Sequence, residues 1–210
     1  MNDLVFNPWI GEQYNQGLNG KKTFILGEAH YLNEGGGIKC KQSEFTKACI
    51  GAQTDQNLGD GEWTHPFFTK IMKVMSSNMT KKEFWDQVIF YNYIQEFIKG
   101  VRKRPDTLQW RNAACPLKYI LKEYQPEVLI VLGYELWTHV SWYFEKTKVG
   151  VPEKGLKQPC LLSPKEIAGI DCDIKPSEIK PFLAIPIKHP SSVGFSTQYW
   201  KKQMSLFLNY

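Results

Sequence analysis

Residues 23–31 read TFILGEAHY, and this stretch decides the fold. Thr23-Phe24-Ile25-Leu26 is a short apolar run with the length of a buried strand. Gly27 stops it, and Glu28, Ala29, His30 and Tyr31 follow: a carboxylate, a small residue, an imidazole and a phenol. In an open α/β sheet, ligands bind outside the carboxyl ends of the strands, so polar groups released there are placed for chemistry. Residues 182–192, FLAIPIKHPSS, repeat the arrangement far downstream. There a second apolar strand runs out into a histidine, a proline and two serines.

Two more strands lie between these stretches. Val88-Ile89-Phe90 leads into Tyr91-Asn92-Tyr93, and VLIVL at 128–132 is a continuous apolar run closed by Gly133. Runs of this kind mark parallel strands covered on both faces. Helical spacing separates them. Within residues 65–75, Phe67, Phe68, Ile71, Met72 and Met75 share a face. Thr80 and Glu83 fit a capping box before a short helix. Asp106 or Thr107 can cap a helical stretch over 108–124, which Pro116 kinks or breaks in two. Residues 134–144 read as an amphipathic helix with Leu136, Trp137, Val140 and Phe144 inward. Residues 196–208 read as a closing helix capped by Ser196.

The remaining segments lack periodicity. Residues 1–20 read as a lead-in packed on the surface, and 32–63, with Gly35-Gly36-Gly37, as a long loop holding a short helix at 43–49. Residues 146–181 read as a long loop or insertion. Strands alternating with helices predict an α/β protein. The expected architecture is one domain over residues 1–210: three layers, α/β/α, around a central, mainly parallel four-stranded sheet.

Composition narrows the function classes. Hydrophobic residues at 42% and charged residues at 22% are ordinary for a globular chain. A net charge of +5 permits a polyanionic partner without demanding one. Basic residues cluster at 99–104, KGVRKR, and at Lys201-Lys202. The five cysteines form no C-x-x-C pair, and MNDLVFNPW has no signal-peptide pattern. Reduced thiols in a cytoplasmic protein are therefore expected. No run approaches the roughly 18 apolar residues of a membrane span. Neither a Gly-Lys-Ser/Thr phosphate loop nor a paired-glycine dinucleotide turn is present.

The strand ends supply the candidate chemistry: Glu28, His30 and Tyr31; Asn92; His189, Ser191 and Ser192. Histidine and carboxylate suit zinc, but the H-x-x-x-H helical spacing is missing, so no metal is expected. A serine triad lacks its G-x-S-x-G elbow. His65 and His139 are assigned to structure.

These motifs, taken in order, resemble the uracil-DNA glycosylase superfamily. Its first motif reads GQDPYH in one branch and GEAPG in the iron–sulfur branches. Gly27-Glu28-Ala29 is similar to the second form, and Tyr31 falls where the first has its tyrosine. The last motif begins His-Pro-Ser, as His189-Pro190-Ser191 does. Between them the family has a strand ending in an asparagine that reads the base edge, and Asn92 holds that place. Residues 126–133, PEVLIVLG, look like its third core strand.

The resemblance implies a monofunctional DNA glycosylase of that fold. It would flip uracil or a deaminated purine from single- or double-stranded DNA and hydrolyse the N-glycosidic bond. His189 would stabilise the departing base, and Glu28 or His30 would orient the water. Gly27, Ala29, Tyr31 and Asn92 would line the base pocket, with Tyr31 walling off a 5-methyl group. Pro190, Ser191 and Ser192 would hold a DNA phosphate, and Val193 or Phe195 would wedge into the vacated stack. The chain departs from the family at Ala29, which replaces the aspartate of the first form, and at His30, where both forms have proline. The four clustered cysteines are not recognisable, so neither an iron–sulfur cluster nor another cofactor is expected. A monomer is expected. Two alternatives share the fold: a catalytically silent nucleic-acid-binding member, and a small-molecule hydrolase using the same pocket.

Overall fold

The structure is a computed structural model that describes residues 4–32, 40–54, 65–76, 78–100, 103–150, 157–166 and 172–208. The Gly35–Gly37 run, residues 101–102 of the basic cluster, and 151–156 and 167–171 of the expected insertion lie outside the described residues.

Four strands form the middle of the sheet, as their apolar runs require: β2 (Thr23–Gly27), β4 (Val88–Asn92), β6 (Val128–Leu132) and β9 (Phe182–Ile187). They pair in parallel in the order β4-β2-β6-β9. Every residue of β2, β4 and β6 is buried. The expectation of a four-stranded, mainly parallel sheet is nevertheless corrected, because the sheet is mixed and has seven strands. β1 (Trp9–Ile10) pairs antiparallel with β4 on one edge. β8 (Cys160–Pro164) pairs antiparallel with β9, and β7 (Phe144–Lys148) pairs antiparallel with β8 on the other. The added strands fall in segments read as lead-in, helix end and insertion. β1 is only two residues long, β7 is charged, and β8 has one fully buried residue and ends in proline, so alternation never declares them.

Pro186 sits inside β9 without breaking it. Leu183 N donates to Glu127 O and Gly133 N donates to Ile187 O, so the odd residues of β9 bond toward β6. Pro186 therefore turns its donorless nitrogen to the opposite side. It lies beyond Ala184, the last β9 residue paired with β8, so no ladder bond is lost there.

The helices cover both faces, giving the expected three layers. α1 (Phe45–Thr54), α2 (Pro66–Met75), α3 (Lys81–Trp85) and α7 (Thr197–Phe207) pack against Ile25, Val88, Phe90, Ile130 and Ile185. α4 (Thr107–Asn112), α5 (Ala114–Tyr124) and α6 (Tyr134–Ser141) pack against Phe24, Ile89, Leu129, Val131 and Ala184. Residues that alternate along each strand thus serve opposite cores.

The caps follow the sequence. Thr80–Glu83 and Asp106–Gln109 make capping boxes for α3 and α4. His65 accepts from Phe67 N at the start of α2, and Ser196 accepts from Tyr199 N at the start of α7. The stretch at 108–124 is broken at Ala113, with Pro116 falling in the first turn of α5. α6 ends at Ser141, earlier than expected, and Phe144 opens β7 with its ring edge-on to Phe182.

The expectation of five reduced thiols is also corrected. Cys115 of α5 is joined to Cys172 across a Cα–Cα distance of 5.5 Å. Residues 172–180 are latched further to the end of α5. Gln125 Nε2 donates to Glu178 O at 2.7 Å, and Lys180 N donates to Gln125 Oε1 at 2.9 Å. No helix among the described residues is long and apolar enough to cross a membrane.

Candidate functional site

The parallel strands run in spatial order second, first, third, fourth. Chain direction across the sheet therefore reverses between β2 and β6, and the crevice outside their carboxyl ends is the expected ligand position. Gly27, Asn92, Gly133 and His189 all stand at that edge. β2 and β9 are two strand spacings apart, about 10 Å, so one base-sized ligand can touch both ends.

On the α1/α2 side of the edge, Asn92 is 5% exposed. Its Oδ1 occupies the place a Gly27 Cβ would take, so a side chain at 27 would have to displace the amide. Gln95 Nε2 donates to Asn92 O at 2.9 Å, which pins the backbone. Asn92 Nδ2 donates to His30 Nδ1 at 3.1 Å, and His30 Nε2 lies 2.8 Å from Thr46 Oγ1.

His30 does not stay with the main sheet. It opens β3 (His30–Leu32), which pairs with β5 (Phe97–Lys99) in a separate two-stranded sheet. Phe6, Phe45 and Phe97 enclose its ring. That burial pushes its pKa down to about 4, so it is neutral at pH 7.

His189 follows β9. Its Nδ1 accepts from Ser191 N at 3.2 Å. Burial first, and the charge of Arg104 second, push its pKa down to about 4. A neutral imidazole whose Nδ1 accepts carries its proton on Nε2. No described residue accepts from that Nε2–H. Phe67 of α2 lies against the His189 ring at 5.3 Å and edge-on to Phe90 at 6.4 Å, bridging the ends of β9 and β4.

Glu28 and Tyr31 belong to the other side of the edge, where Ala29 and Tyr31 pack on the α5/α6 core. Tyr31 Oη donates to Glu28 Oε1 at 2.9 Å, and Arg104 donates to Glu28 Oε2 at 3.1 Å. Arg104 also pairs with Glu135 in the first turn of α6. Burial raises the Glu28 pKa above the usual carboxylate range, and the opposing pull of Tyr31 and Arg104 only lessens the shift. Arg104 thus pairs with Glu28, and its charge also reaches His189.

The segment after His189 divides the expected contacts. Val193 is 96% exposed, whereas Phe195 packs on the core and under the Lys70 ammonium. Lys70 Nζ also donates to the carbonyl of buried Pro190 at 2.9 Å. Ser191 N is taken by His189 Nδ1, and Ser192 N donates to His189 O at 2.9 Å. An anion at this turn would therefore meet the serine hydroxyls and Lys188, whose Nζ stands 3.4 Å from a Cβ placed on Gly194.

Arg104, Thr46 and Phe67 were not singled out for the site from the sequence. Arg104 sits in a basic run that reads as a charged surface, and Phe67 reads as one apolar residue of a helix. His65 caps α2 and His139 stacks on Trp110 at 3.9 Å, so both are structural. Among the described residues no group of three or more His, Cys, Asp or Glu gathers as metal ligands would. The sequence matches no family model, and no curated protein matches it.

Proposed function

We propose that this chain is a DNA base-excision glycosylase of the uracil-DNA glycosylase type, which takes an extruded uracil or deaminated purine into the slot along the sheet edge. One observation carries the reading. A neutral His189 carries an unused Nε2–H at the end of β9, on the edge where the Asn92 carbonyl oxygen lies over Gly27 at the end of β4.

The chemistry is a hydrolysis. The bond between the base nitrogen and C1′ breaks, and its electron pair leaves with the base. The sugar becomes cationic, water adds its oxygen to C1′, and the proton that water loses ends on the departed base, leaving a C1′ hydroxyl and a neutral base. His189 Nε2–H stabilises the negative charge gathering on the base oxygen, as donors aimed at a developing anion do. Being neutral, it gives this hydrogen bond without having to transfer a proton. Glu28, bonded to Tyr31 and Arg104 just beyond the end of β2, would bring negative charge for the sugar cation. Both its oxygens already accept one bond, and a carboxylate has further lone pairs with which to orient the water. Phe67 offers a ring for base stacking, and Val193 is the exposed apolar tip suited to the vacated stack.

Base release from oligonucleotides carrying uracil, hypoxanthine or xanthine tests this. His189→Ala should slow release on the order of a hundredfold to a thousandfold with the fold intact. A wild-type chain that releases no base from any of them removes the reading. A second reading, a silent DNA-binding relative, is favoured by the engagement of both Glu28 oxygens. It expects salt-dependent DNA binding without product.

A further inference from the structure

Both ring nitrogens of His30 are engaged, by Thr46 and by Asn92, so it has no polar atom left for a substrate, yet it is wired to a residue at the strand ends. The groups facing it are the rings of Phe6, Phe45 and Phe97, the Thr46 hydroxyl and the Asn92 amide. None of these is charged.

The bond pattern among them admits one assignment. An amide NH2 only donates, so Asn92 Nδ2 makes His30 Nδ1 an acceptor. A neutral imidazole then carries its proton on Nε2, and that proton goes to Thr46 Oγ1. Thr46 is itself fully buried on α1, so the relay has a fixed end. Asn92 is held with its NH2 turned inward and its carbonyl oxygen over Gly27, and no described residue donates to that oxygen.

We propose that His30 and Thr46 are positioning residues that lock Asn92 as a hydrogen-bond acceptor toward the slot, and so select bases that bring a ring N–H to it. This rests on the glycosylase reading for the identity of the ligand. Uracil, hypoxanthine and xanthine carry a ring N–H beside a carbonyl. Cytosine and adenine present a lone pair at the corresponding nitrogen, which a fixed carbonyl oxygen repels. Leaving such a pair unmatched in a closed site is costly, and discrimination follows from that cost. The lock therefore disfavours cytosine and adenine without any new contact to the substrate; guanine and thymine, which also carry a ring N–H beside a carbonyl, are left to the shape of the site.

Two measurements decide the proposal. The first is nitrogen-15 NMR of the His30 ring at neutral pH, using the wild-type chain alone. The expected state is neutral, with Nε2 protonated and Nδ1 bare; a proton on Nδ1 overturns the lock. The second is release of uracil and hypoxanthine against cytosine and adenine in the wild type, His30→Phe, Thr46→Val and His30→Gln. Phenylalanine suits the aromatic enclosure, and thermal melting confirms that the fold is kept. In His30→Phe and Thr46→Val, the kcat/KM ratio of uracil to cytosine should fall on the order of tenfold to a hundredfold. His30→Gln keeps an acceptor for the amide and should recover much of it. Unchanged ratios in folded His30→Phe and Thr46→Val overturn the proposal. A wild-type chain inactive on every base removes the glycosylase reading instead, and the NMR state of His30 still decides the lock.

Discussion

At Gly27 the absent Cβ is what lets Asn92 lie across the strand end, since Oδ1 occupies the place that carbon would take. A single missing carbon thus links the first motif to the asparagine that faces it. His30 completes the arrangement from below, and its burial has a consequence for stability. An exposed imidazole in the unfolded chain titrates near 6.5, whereas His30 in the fold titrates at about 4. Between those values the unfolded chain binds the proton and the folded one does not. The contribution is therefore complete above pH 6.5 and is lost as pH falls toward 4. At pH 4.5 the loss from this one group amounts to about 2–3 kcal/mol relative to pH 7. Urea unfolding of wild type and His30→Phe at both pH values isolates it. The variant should lose less stability on acidification by about that amount, and equal losses would show that His30 titrates normally.

The central strands and the edge strands differ in how they present themselves. In β2, β4 and β6 every residue is buried, so a continuous apolar run announces each one. In β7 only Phe144 is buried and the four residues after it are exposed, so FEKTK reads as a helix end running into a loop. Charges on such a strand discourage pairing with other chains, which is the same property that hides it from a periodicity reading. Glycines also divide by element. Gly133 ends β6 at φ 132°, a conformation that L side chains rarely adopt. Gly133→Ala should destabilise by about 1–3 kcal/mol. Gly51 lies inside α1, where a Cβ would meet nothing within 4 Å. Gly51→Ala should stabilise by roughly 0.5–1 kcal/mol. Urea midpoints moving in opposite directions check both; a neutral Gly133→Ala would show that the turn relaxes. The strand-end members of the site, Gly27, Asn92 and His189, were legible because an apolar run points at them. Thr46 and Arg104 were not. They reach His30 and Glu28 across 16 and 76 residues, and nothing local marks the partnership.

Across the whole molecule, the Cys115–Cys172 bond spans 57 residues and ties the segment that leads into β9 to α5. Closing a loop of that length is worth about 4 kcal/mol through the unfolded state. A reductant should therefore lower the urea midpoint clearly, and an unchanged midpoint would mean that the two cysteines are not joined. No alternation of residues foretold this staple, because the odd cysteine count and unpatterned spacing argued for free thiols. The four parallel strands β4, β2, β6 and β9 end at one edge of the sheet, where the proposed base-binding slot lies. The most direct test is backbone NMR with an oligonucleotide carrying 2′-fluoro-deoxyuridine, whose glycosidic bond resists hydrolysis, beside the same oligonucleotide with thymidine. The amide signals of Gly27, Asn92, Gly133 and His189 should shift together with the uracil analogue and much less with thymidine. Shifts that spare these four, or that are the same for both oligonucleotides, would contradict a base-binding slot at this edge.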